Sequence, residues 1–77
     1  MKGSQATGKR IEELLFKNNK TQYRLTKDTC LNEKTLRDLI RGRTSDVKLS
    51  TIILIASNLN ISLKEFFDSP LFDNLED

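Results

Sequence analysis

The apolar residues of this chain fall into five short segments at helical spacing, parted by polar breaks. In the first, from about Ala6 to Asn18, Ile11, Leu14 and Leu15 share one stripe, and Lys9, Arg10, Glu12, Glu13 and Lys17 lie elsewhere. Asn18-Asn19-Lys20 is a polar break. Thr21 is expected to cap a second helix, Gln22 to about Thr29, because its hydroxyl can accept from an amide N–H one turn in. That helix holds only Tyr23 and Leu25 as large apolar residues, and Cys30-Leu31 is a tight connection behind it. Asn32 is the next cap, with Glu33 in the first turn where the helix dipole favours an anion. The third helix, Glu33 to Arg41, buries Leu36, Leu39 and Ile40 by spacing and turns Glu33, Lys34, Arg37, Asp38 and Arg41 outward. Gly42 ends it.

Arg43 to Lys48 reads as a loop. Ser50 or Thr51 is the expected cap of a fourth helix running to about Leu59, apolar on most sides and so expected to be the central core helix. Asn60-Ile61 turns the chain, and Ser62 with Glu65 forms a capping box for a fifth helix, Leu63 to Asp68. Ser69 to Asp77 is acidic and holds the single proline, Pro70, yet still carries Leu71, Phe72 and Leu75.

At 77 residues there is room for one compact domain, whose small core must pack completely or be shared with a partner subunit. The 36% hydrophobic and 31% charged fractions suit a folded domain rather than a disordered tail. Ile52-Ile53-Leu54-Ile55-Ala56 is too short for a membrane span, and nothing near Met1 resembles a secretory signal, so the expectation is cytoplasmic. One cysteine and no histidine leave no internal disulfide, no ordinary zinc spacing and no common general base. Neither a cofactor nor a metal is expected, nor is an enzyme, and Cys30 reads as a small buried filler.

Charge sharpens the picture. Residues 1–48 hold twelve Lys/Arg against six Asp/Glu, and residues 49–77 hold one against five, so +6 and −4 make up the net +2. A basic first half points to a polyanionic partner, and an acidic tail would be held away from it. Two short helices around a tight turn, the second studded with polar groups, have the anatomy of a helix-turn-helix, in which one narrow rigid cylinder enters the DNA major groove.

On these residues the chain resembles the phage repressor/Cro type of helix-turn-helix protein, the XRE family. The resemblance covers residues 8 to 67. It rests on Thr21-Gln22, Leu25, Leu31-Asn32, Leu39, Arg41 and Gly42, then Leu49, Ala56, Leu59, Ile61-Ser62-Leu63 and Phe66-Phe67. It implies an all-α, five-helix, lambda-repressor-like domain over residues 8–68, with a lead-in at 1–7 and an acidic apolar tail at 69–77. It further implies a bacterial or phage-encoded regulator of transcription, a repressor or Cro-like protein that binds double-stranded DNA. Glu33, Lys34, Arg37 and Asp38 then match the surface facing base edges, whereas Gln22, Lys27, Asn32, Arg41 and Arg43 match backbone contacts. The chemistry agrees: Lys34 and Arg37 are donors suited to guanine O6/N7, and Glu33 or Asp38 can accept from cytosine N4.

Several positions depart from the family pattern. Thr26 and Cys30 stand where alanine and glycine are usual, and the loop before the fourth helix is one residue longer and lacks its usual proline. Leu15 and Ile40 together replace an arginine and a glutamate that form a partly buried ion pair in many relatives. Losing one partner of such a pair costs roughly 3–5 kcal/mol, while replacing both with apolar groups can be neutral or stabilising. Leu15 and Ile40 are therefore expected to meet in the core.

A domain of this size reaches about half a turn of DNA, so a homodimer reading two half-sites is expected. Phe67, Leu71, Phe72 and Leu75 are the expected dimer or partner surface, and Phe66 is assigned to the core. The competing reading is a protein-interaction module, such as the antitoxin of a toxin–antitoxin pair, holding a second protein through the tail.

Overall fold

The computed structural model describes residues 1–76; Asp77, the last acid of the tail, lies outside the described residues. Five helices follow in order: α1 (Gly3–Lys17), α2 (Gln22–Thr29), α3 (Glu33–Ile40), α4 (Leu49–Asn58) and α5 (Leu63–Phe67), then a 3₁₀ turn at Pro70–Phe72. Among the described residues there is no strand, and no helix is long and apolar enough to cross a membrane.

The caps explain where the helices begin. The Thr21 hydroxyl accepts from the Arg24 N–H at 3.0 Å, the Asn32 side chain accepts from Lys34 and Thr35, and the Ser62 hydroxyl accepts from Glu65 at 3.0 Å. Two starts differ from expectation. α1 begins at Gly3, because Gln5 accepts the Lys2 amide and Ala6 and Thr7 are buried, so the supposed lead-in is mostly helix. The start of α4 is Leu49, after Lys48 as N-cap, so neither Ser50 nor Thr51 caps it. The Lys48 carbonyl already accepts the Thr51 and Ile52 amides, which winds the first turn earlier than a hydroxyl cap would.

Three helix ends share one device. Asn19, Gly42 and Asn60 take positive φ, and the amide after each reaches back to a carbonyl inside the helix: Lys20 to Leu15, Arg43 to Asp38, Ile61 to Ala56. Glycine and asparagine tolerate this left-handed turn better than other residues.

One cluster forms the core: Ile11, Leu14, Leu15, Leu25, Leu36, Leu39, Ile40, Ile52, Ile55, Ala56, Leu59 and Phe66. Leu15 and Ile40 both belong to it, on helices that pack together. Arg10 was expected on the polar face but is 5% exposed. Its Nε and Nη2 donate to the Phe66 and Glu65 carbonyls at 2.7 and 2.8 Å, and Nη1 pairs with Glu13. A buried charge thus satisfies the open end of α5 and ties it to α1.

α4 is only half a core helix. Ile52, Ile55 and Ala56 are buried, while Leu49, Ile53 and Leu54 are 58%, 46% and 40% exposed. The tail folds back over its own chain instead: the 3₁₀ turn packs on α1, Phe72 meets Phe66 and Phe67, and the Glu76 amide donates to the Met1 carbonyl at 3.1 Å. Leu71 and Phe72 are half-buried, whereas Phe67 and Leu75 stay on the rim at 38% and 37% exposure.

α1 and α3 approach closely at Gly8, where a Cβ would lie 2.1 Å from the Leu39 carbonyl oxygen of α3. Alanine in an open helix position gains about 1 kcal/mol over glycine. Here the sign reverses, because backbone must move. Gly8→Ala is expected to lose about 2 kcal/mol or more, read as a lower urea midpoint with an unchanged slope; a raised midpoint would show that the two helices are not held this close.

Candidate nucleic-acid interface

α3 has only eight residues, yet both of its ends are fixed. Asn32 satisfies two amides at its start, and at its finish the Gly42 amide donates to Leu39 and the Arg43 amide to Asp38, at 3.1 and 2.8 Å. Leu36, Leu39 and Ile40 turn inward, which leaves Glu33, Lys34, Thr35 and Arg37 exposed and Asp38 half-buried.

The exposed groups form two sets. A cleft of ≈460 Å³ between α2 and α3 is lined by Tyr23, Lys27, Asn32, Glu33, Lys34 and Arg37 among others. Gln22 reaches a smaller recess beside it, shared with Glu33 and Arg37. Gln22, Lys27, Asn32, Glu33, Lys34 and Arg37 are expected DNA contacts from two successive helices, and the turn brings them together, with Tyr23 added to them. Arg41 instead lies in a groove between α1 and α3 with Gln5 and Lys9, and Arg43 follows Gly42 beyond the end of α3. Both arginines are exposed.

Within the surface the side chains are partly committed to one another. Lys34 Nζ lies 3.0 Å from Asp38 Oδ2, and the Lys27 ammonium sits 5.1 Å above the Tyr23 ring. The Asn32 carbonyl oxygen is used by its cap, so the NH₂ end of that amide is the group left to donate outward. The Lys34 hydrogen bond, aided by the charges of Lys34, Arg43 and Arg37, holds the Asp38 carboxyl below the usual carboxylate value against the opposing effect of burial. Asp38 is therefore ionised at neutral pH, and the outward face of α3 carries two cations and two anions.

The Cro/C1-type helix-turn-helix DNA-binding domain model matches residues 10–70. The chain belongs to this Cro/C1-type family. No curated protein and no solved structure matches it. The matched region opens on Arg10, closes past Phe66 and contains α2, the turn and α3.

On the helix-turn-helix of this Cro/C1-type domain, Tyr23 and Cys30 are exposed although residue type favours the interior for both. Tyr23, one of the two large apolar residues of α2, is 60% exposed on the cleft. A tyrosine presents an apolar body and a polar tip, so it is at ease on such a rim. Cys30 is a free, exposed thiol, not a buried filler. It ends α2 in the left-handed conformation (φ 60°), and that backbone turn outweighs the usual preference of cysteine for the interior. Arg24, also exposed, is held by Asp28 at 3.2 Å, and Lys20 joins the same carboxylate at 2.9 Å while donating to Asn58 of α4 at 2.6 Å. The Lys20 hydrogen bond is the main cause of the lowered Asp28 pKa. This network braces α2 against α4 behind the cleft.

Proposed function

We propose that this protein is a sequence-specific regulator of transcription, a repressor or Cro-like protein, that places α3 in the major groove and binds double-stranded DNA as a symmetric homodimer. The observation that carries the reading is the outward face of α3: hydrogen-bonding side chains on one short cylinder, capped at both ends and seated on α1 through Gly8. Such a cylinder fits the major groove, where each base pair shows a distinct donor and acceptor pattern. Lys34 and Arg37 offer donors to guanine, and Glu33 and Asp38 offer acceptors to cytosine. Gln22, Lys27, Asn32, Arg41 and Arg43 hold phosphates on either side, with the dipole at the start of α3 adding to them.

Pairing draws its support from α4. Leu49 and Ile53 lie one turn apart with Leu54 beside them, and no charged residue stands between Leu49 and Asn58. A neutral apolar stripe can face its own copy across a two-fold axis without like-charge repulsion, and an exposed patch of this kind marks an interaction surface. The tail supplies less than its composition suggested, because Leu71 and Phe72 are half-buried on their own chain; Phe67 and Leu75 remain available at the edge. The same observation weakens the antitoxin-like reading, which needs the tail to hold a second protein.

Selection from a random duplex pool at near-physiological salt is expected to enrich a palindrome with half-sites about 34–36 Å apart. Arg37→Ala is expected to relax one position in each half-site, by about 1–3 kcal/mol of discrimination, and Arg41→Ala to weaken all sequences alike. Binding without enrichment, indifferent to Arg37, would contradict the reading. For the dimer, Ile53→Asp is expected to leave the helical circular dichroism spectrum intact, give a monomer in sedimentation and lose the palindrome. An unaltered dimer would move the interface away from α4.

A further inference from the structure

Asp38 is badly placed for an acid. It lies in the last turn of α3, where the helix dipole disfavours negative charge, and on the face assigned above to a polyanion. Its surroundings explain how it is tolerated. The carboxylate lies 3.0 Å from Lys34 Nζ one turn back, and its own carbonyl accepts the Arg43 amide at 2.8 Å, so the position is fixed by main chain as well as side chain. Asp38 is half-buried, whereas the Lys34 side chain is 76% exposed. The fixed member of the pair is therefore the acid, and the mobile member is the lysine.

A lysine ammonium on a four-carbon stem is a compact charge that can swing between neighbouring acceptors, and so discriminates poorly by itself. An exposed pair of this kind is weak in water. Inside a groove that has lost water the same attraction strengthens as the effective dielectric falls. We propose that Asp38 is a specificity-determining positioning residue: it holds the Lys34 ammonium so that the two side chains read a G·C pair as a fixed couple, Lys34 donating to guanine and Asp38 accepting from cytosine N4. Sequences that present thymine O4 or a purine N7 to the carboxylate are rejected by repulsion between acceptors. Asp38 thus lowers affinity for DNA in general and raises the contrast between sequences. This inference rests on the DNA-binding reading of α3.

The test is the same selection with the full chain, comparing wild type with Asp38→Asn, Asp38→Ser, Lys34→Ala and the Lys34→Ala/Asp38→Asn double variant, each first shown to unfold cooperatively on heating. Asp38→Asn is expected to bind random duplex more tightly. It should also flatten the G·C preference at the Lys34 position from about tenfold to about twofold, leaving the Arg37 position as it was. The double variant should show no further loss there beyond Lys34→Ala, since the two act as a unit. Asp38→Ser repeats the test should the asparagine variant not fold. Tighter binding with the base preference unchanged would overturn the proposal and leave Asp38 a plain repulsive charge. A wild type that enriches no sequence would instead overturn the DNA-binding reading itself, and this inference with it.

Discussion

Everything on the outward face of α3 depends on how closely its backbone lies on α1. Eight residues do not make a stable helix in water, since nucleation is costly and few hydrogen bonds repay it. α3 persists because its inner side chains enter the common core and because Gly8 lets the Leu39 carbonyl approach without a Cβ between them. A side chain at position 8 would push α3 outward, and with it every group proposed to meet DNA. Reading bases requires placement within fractions of an ångström, so this one missing Cβ connects packing to function.

The second constraint is Arg10. Its guanidinium closes the open carbonyls of α5 and draws that helix onto α1, with Phe66 fully buried beneath it. From there Phe67 and Phe72 stack edge to face, and the tail returns along α1. α5 and the tail are thereby clasped to α1. Lys20 and Asp28 brace α2 to α4, and α3 packs on both α1 and α2. Among the described residues no buried side-chain polar atom lacks a partner.

Much of this was legible in the residues themselves. The stripe Leu36, Leu39 and Ile40 announced which side of α3 is inward, and Thr21, Asn32 and Ser62 announced three helix starts. The helix-turn-helix could be read because its constraints are local. What was missed depends on tertiary context. Ala6, Arg10 and Leu14 share one stripe at intervals of four, so the burial of Arg10 had a signal, overridden by its charge. α4 had none: a helix apolar on most sides does not say which side meets solvent. The tail's return likewise turns on ring contacts between Phe72 and residues of α5. Cys30 was misplaced because residue type is a weaker guide to burial than the backbone turn that positions it.

The most direct test of the account is to map isotope-labelled backbone amides by nuclear magnetic resonance while a duplex carrying the selected palindrome is titrated in. Changes concentrated on Glu33–Ile40, the start of α2 and the Gly42-Arg43 amides are the predicted result. A silent α3, with changes confined to α5 and the tail, would contradict it and show that this chain does not read DNA through its second turn-linked helix.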